Sequence, residues 1–137
     1  MAALKKCRTY GLRYKDSMAD IFTQAGEELI TDFMDGTASV PASWYVAWGT
    51  GAGTAAKGDT ALFTEAAEAR VATTDTQPAV DQNQFLGTIT SASAQTITNA
   101  GILSASTAGT LLIHSDFTGV ALANGDKIEF TFTLQWS

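Results

Sequence analysis

Few residues in this chain have the type and spacing that chemistry requires. His114, the only histidine, is followed by Ser115 and Asp116. A nucleophile–histidine–carboxylate triad needs members that converge from different elements, whereas neighbours in a strand point to opposite faces. Asp116 shares the parity of His114 and could orient its ring, but no nucleophile accompanies them. Gly49-x-Gly51-x-Gly53 follows an aromatic run, as a dinucleotide fingerprint would. Its third glycine comes one residue early, and no apolar-periodic helix follows to face a pyrophosphate. Lys57 precedes Gly58 rather than following it, which is not a P-loop; a tight structural loop is the reading that remains. The carboxylate pairs Glu65/Glu68, Asp126/Glu129 and Asp75/Asp81 sit in polar surroundings, without the desolvation that separates an acid from a base. One histidine and one cysteine do not make a zinc or iron site, and Asp59, Asp116 and Asp126 lack calcium-loop spacing. Trp44, Trp48 and Trp136 would form a sugar-stacking platform if exposed, but all three lie on apolar faces and read as core. The expectation is no enzyme, no cofactor and no metal, with a small-molecule ligand disfavoured.

The elements that would position these residues are mostly strands. From Asp126 to Trp136, apolar Ile128, Phe130, Phe132, Leu134 and Trp136 alternate with polar Lys127, Glu129, Thr131, Thr133 and Gln135. Side chains alternate across a strand, so one apolar face requires an opposing layer and one polar face meets water. Asn124-Gly125 ahead of it is a turn signal. Further strands are expected at Ser43–Trp48, Arg70–Thr74, Phe85–Thr90, Thr96–Leu103, Gly109–Phe117 and, briefly, Val120–Leu122. Thr74 to Asn83 is polar, contains Pro78 and reads as an exposed connection. Leu62–Ala69 reads as a short amphipathic piece.

The single helix has apolar residues at three- and four-residue steps through Met18, Ile21, Phe22, Ala25, Leu29, Ile30, Phe33 and Met34. Ser17 with Asp20, or Thr23, could cap its start. Gly26 weighs against the earlier one, so a core near 24–34 is favoured, opened by Thr23 and closed by Gly36. Seven or eight strands at this spacing predict a mainly β chain: an antiparallel β-sandwich of jelly-roll type with one N-terminal α-helix. The organisation read is a basic arm over 1–17 and one domain over 18–137.

The 137 residues carry a net charge of −6, unevenly spread. Lys5, Lys6, Arg8, Arg13 and Lys15 crowd the first fifteen residues, and only Lys57, Arg70 and Lys127 follow. An acidic body repels phosphate backbones, so no nucleic-acid partner is expected. Tyr10, Leu12 and Tyr14 alternate along the arm like an edge strand, or a strand lent to a neighbour. Single Cys7 excludes an internal disulfide and suits a reducing compartment. No apolar run is long enough to span a bilayer and no signal-peptide core is present, so the chain is expected to be soluble, with no membrane partner.

Several stretches in order resemble a family of small bacteriophage virion proteins. Gln24–Thr37 is similar to their first helix, and Tyr45-Val-Ala-Trp-Gly-Thr-Gly51 to the strand and glycine turn after it. Gly58-Asp-Thr-Ala-Leu62, with Glu68 and Arg70, resembles the next segment. Ile97-Thr-Asn-Ala-Gly-Ile-Leu103, Gly109–Leu112 and Gly125–Trp136 match the closing pattern. The resemblance implies a β-sandwich that works by assembly, either as a capsid decoration (cement) protein or as a tail-fibre or baseplate-associated module.

Without a coiled-coil or triple-helical shaft, the chain reads as a cement protein of the capsid surface, assembled in the bacterial host cytoplasm. Its partners would be the major capsid protein and copies of itself, as a dimer or trimer. The alternative is a tail-fibre or baseplate module that binds host carbohydrate. The expected contact residues are Lys5, Lys6, Arg8, Tyr10, Arg13, Tyr14 and Lys15 of the arm, with Trp48 and Gly51 of the glycine loop.

Overall fold

The computed structural model describes residues 2–10 and 19–136, with side chains from Ile21 to Trp136. Its strands are β1 (Ala2–Tyr10), β2 (Ala19–Phe22), β3 (Tyr45–Gly49), β4 (Val71–Ala72), β5 (Thr74–Ala79), β6 (Gln82–Thr90), β7 (Gln95–Leu103), β8 (Leu111–Leu122) and β9 (Lys127–Trp136). One helix, α1, spans Gln24–Asp35. Two antiparallel sheets face each other, ordered β1-β9-β6-β5 and β2-β8-β7-β3-β4. The nested pairs β1–β9 and β2–β8 wrap the chain as a jelly roll does, and the expected sandwich is what forms.

β9 is the inner strand of the first sheet, flanked by β1 and β6. Its inward residues Ile128, Phe130, Phe132 and Leu134 are fully enclosed. Burying four such side chains contributes roughly 6–12 kcal/mol. Phe130 stacks on Phe132 at 6.1 Å and meets Trp48 of the opposite sheet edge-on at 6.2 Å. Trp136 departs from the expected pattern at 36% exposure. It sits where the strand leaves the sandwich, with the Phe22 ring at right angles to it at 5.9 Å.

α1 begins where expected because Thr23 does two jobs. Its hydroxyl accepts from the Gly26 N–H at 2.9 Å and donates to the Leu111 carbonyl at 2.5 Å, so the cap ties the helix to β8. Gly26 is required by that close approach: a Cβ there would meet the Leu112 carbonyl oxygen at 2.8 Å. Gly36 ends the helix in the left-handed conformation, φ 80°. Phe33 then packs on Trp44, and Trp44 on Phe85, so α1 plugs one end of the sandwich.

Three expectations are corrected. Residues 74–79 form strand β5 rather than a connection; it is an exposed outer strand, where Pro78 and the register shift between Thr76 and Ala79 are tolerated. Val120–Leu122 continues β8 past a bulge opposite Ile97 and Asn99. Leu62–Ala69 is irregular, with one bridge from Glu65 to Gly49. Ala2–Tyr10 is laid along β9 in register from Ala2↔Trp136 to Tyr10↔Glu129, so this part of the basic arm is an edge strand, one of the two readings its alternation offered.

Replacing Phe130 with Ala should lower unfolding free energy by about 3–5 kcal/mol, because the ring contacts both sheets and leaves a cavity. Denaturant titration measures it; a loss under 1 kcal/mol would mean the sheets do not meet there.

Candidate functional site

The outward face of the five-stranded sheet is not left to water. In-register neighbours Ala47 and Gly101, together with Leu103 and Leu111, carry a small second core with Leu62. Residues 50–66 lie over this face as a third layer, long for a loop without secondary structure. Bare glycines make the approach possible. A Cβ on Gly49 would meet the Phe63 carbonyl oxygen at 2.3 Å, and one on Gly53 the Phe63 ring at 2.5 Å. The glycine loop is therefore a packing device, as its spacing suggested.

Beneath the loop, β7 and β8 present polar groups that are enclosed. His114 is fully buried. Its Nδ1 is 2.7 Å from Asp59 Oδ2, and its ring meets Phe63 at 4.6 Å. On the other side Nε2 is 3.2 Å from Asn99 Oδ1. The orientation of Asn99 is assigned by Phe63, whose N–H donates to Oδ1 and whose carbonyl accepts from Nδ2, both at 3.0 Å. Asn99 Oδ1 is thus an acceptor toward Nε2, so both ring nitrogens lie against side-chain oxygens. Asp116 does not orient the ring as its parity suggested. Its Oδ1 accepts from the Ala55 N–H at 2.7 Å and pins the loop from below. Lys57 ties the far side, its carbonyl accepting from Gln24 N–H at 2.8 Å and its Nζ pairing with Glu27 at the surface.

Two further clamps hold the neighbouring segment. The Arg70 guanidinium forks onto both Glu65 oxygens, at 2.6 and 2.9 Å, and donates to the carbonyls of Ala105 and Ala108. This bidentate geometry joins two loops that are distant in sequence. Glu68 accepts from the Trp48 indole N–H at 3.1 Å, the Ala92 N–H at 3.0 Å, and the Gln95 amide. Partial burial pushes its carboxyl pKa upward. The bonds from Ala92, Trp48, its own backbone and Gln95 outweigh that and hold it below the ordinary 4.5.

In this acid–histidine pair the Asn99 amide, not a hydroxyl, lies against Nε2, and the ring is fully buried. Among the described residues no three His, Cys, Asp or Glu side chains gather as a metal site, and no helix is long and apolar enough to cross a membrane. Trp48, expected at a contact, is buried against Phe130, because the parity of β3 turns it into the sandwich. Gly51 is half-buried, and a Cβ there would meet Thr64 Oγ1 at 2.6 Å, so its role is packing beneath Phe63. Lys5, Lys6, Arg8 and Tyr10 lie on β1, while Arg13, Tyr14 and Lys15 fall outside the described residues. Sequence reasoning gave Asp59, Asn99, Glu68 and Arg70 no partners. Their one signal was that all four fall in the stretches that carry the family resemblance.

His114→Leu should cost about 1–3 kcal/mol, since it removes the contacts of both ring nitrogens, while Asn99 keeps the Phe63 N–H and Asp59 the Ala56 N–H. Asp59→Asn, which keeps an acceptor, should cost less; equal losses in chemical denaturation would contradict the geometry. Because folding depresses the Glu68 pKa, its contribution is present above 4.5 and is lost as pH falls through the folded-state value. Glu68→Gln should therefore flatten the acid limb of a stability–pH curve, and an unchanged limb would assign acid sensitivity elsewhere.

Comparison with known protein families matches residues 21–134 to the family described as podophage GP4 fiber I protein gp80. No curated protein matches.

Proposed function

The chain belongs to the podophage GP4 fiber I protein gp80 family, a phage structural family, and from that premise we propose that it is a module of the tail fibre that acts through assembly contacts. The observation that carries this reading is the extent of the match, which runs from β2 to nearly the end of β9 and so takes in both sheets, the helix and the locked loop. A virion location follows from the family at the coarser level. The fibre description favours the tail over the capsid exterior to which a shaftless domain had pointed. A shaft is a property of the assembled fibre and can come from other chains, so its absence here weighs less than the family's own description. The side-chain chemistry agrees with a structural role: buried polar groups around His114 are spent on holding a loop, and Trp48 is enclosed.

Gold-labelled antibody against the chain, applied to intact particles, tests the reading. Label on tail appendages at few copies per particle is expected. Label spread over the head at high copy number would overturn it in favour of a cement protein.

A further inference from the structure

Among the described residues, the large apolar side chains that remain exposed belong to segments at or leading from the plugged end of the sandwich. Met34 is 84% exposed and Val40 66%, at and beyond the C-terminus of α1. Val80, 96% exposed, tips the turn between β5 and β6, and Trp136 ends β9 beside it, its N–H donating to the Asp81 carbonyl at 2.8 Å. Register explains the clustering, since Gln82 pairs with Gln135 while Phe22 pairs with Ile113 at the same end. The apolar stripe of α1 is only half covered: Gly26 is its one buried residue. Glu28, Asp32 and Asp35 lie in α1 and Asp81 follows Val80 in the chain, while the cation Lys57 is already paired with Glu27.

Charge decides what can cover it. After residue 18 the chain has thirteen carboxylates against three cations, so the body of a second copy would be repelled. The remaining five cations lie in residues 5–15. β1 ends at Tyr10 opposite Glu129, away from Trp136, and Arg13 and Lys15 follow it in sequence. We propose that the plugged end, through Phe33, Met34, Val40 and the carboxylates Glu28 and Asp32, receives the cationic segment around Arg13 and Lys15 of a second copy. The contact is head-to-tail: two different surfaces meet, and each copy retains one of each. It rests on the fibre reading only for the setting in which copies meet.

Sedimentation velocity of the full chain tests it. The wild type should associate in a concentration-dependent way at low salt and dissociate at high salt. Glu28→Lys/Asp32→Lys, or Arg13→Glu/Lys15→Glu, should each raise the midpoint concentration about tenfold or more, and a mixture of the two variants should recover association. Met34→Lys, at an open position, should weaken it independently of the charge pairs. A wild type monomeric at every concentration and salt, or a mixture that fails to recover, overturns the proposal. A monomer whose gold label lies on tails would overturn this contact alone; self-association with label on heads would overturn the fibre reading alone.

Discussion

Everything in this molecule leans on the closure of two sheets over one aromatic seam. Phe130 is held from its own strand by Phe132 and from the opposite sheet by Trp48. Because sheets pack about 10 Å apart, only rings of this size bridge the gap from both sides. Once β9 is fixed in this way, the register of its neighbours follows, since a one-residue slip would carry phenylalanines into water. β6 and β1 are thereby aligned along it, and the end that α1 must plug is defined.

The second constraint is the polar outer face of the five-stranded sheet. Burying it under residues 50–66 would be costly if any donor or acceptor were stranded. The chain meets that cost with reciprocal bonds: Asn99 with the backbone of Phe63, His114 with Asp59 and Asn99, Asp116 with the Ala55 N–H. Each bond also sets loop geometry, so the loop is held as firmly as a strand. Such a network is specific in a way that an apolar patch is not, because a shifted loop would lose several partners together.

These two constraints account for a protein whose buried polar groups are committed to holding its own fold. Its one histidine is sealed, the carboxylates of Asp59, Glu65, Glu68 and Asp116 hold loops, and the described large apolar groups left exposed are few. Membership of a phage fibre-protein family is consistent with that distribution. In the contact proposed between copies, the acidic body and the cationic first fifteen residues set the mutual orientation.

The amino-acid sequence by itself determined the local elements. Period-two alternation from Ile128 to Leu134 marked β9 and its buried face, and Thr23 and Gly36 bounded α1 to within a residue, because pleat and capping chemistry act over a few neighbours. The order of the matching stretches carried the family resemblance, and the number and spacing of the strands pointed to the sandwich. Only the tertiary structure decided that Asp59 rather than Asp116 meets His114, that Glu68 holds the Trp48 indole, and that the exposed polar run 74–79 pairs as an edge strand. Those contacts join residues some twenty to fifty-five positions apart in two cases, and pairing at that distance leaves no periodicity to read. Trp136 shows the same limit from the other side. Its parity was correct, but parity says which face a side chain takes and not whether the opposing layer extends far enough to cover it.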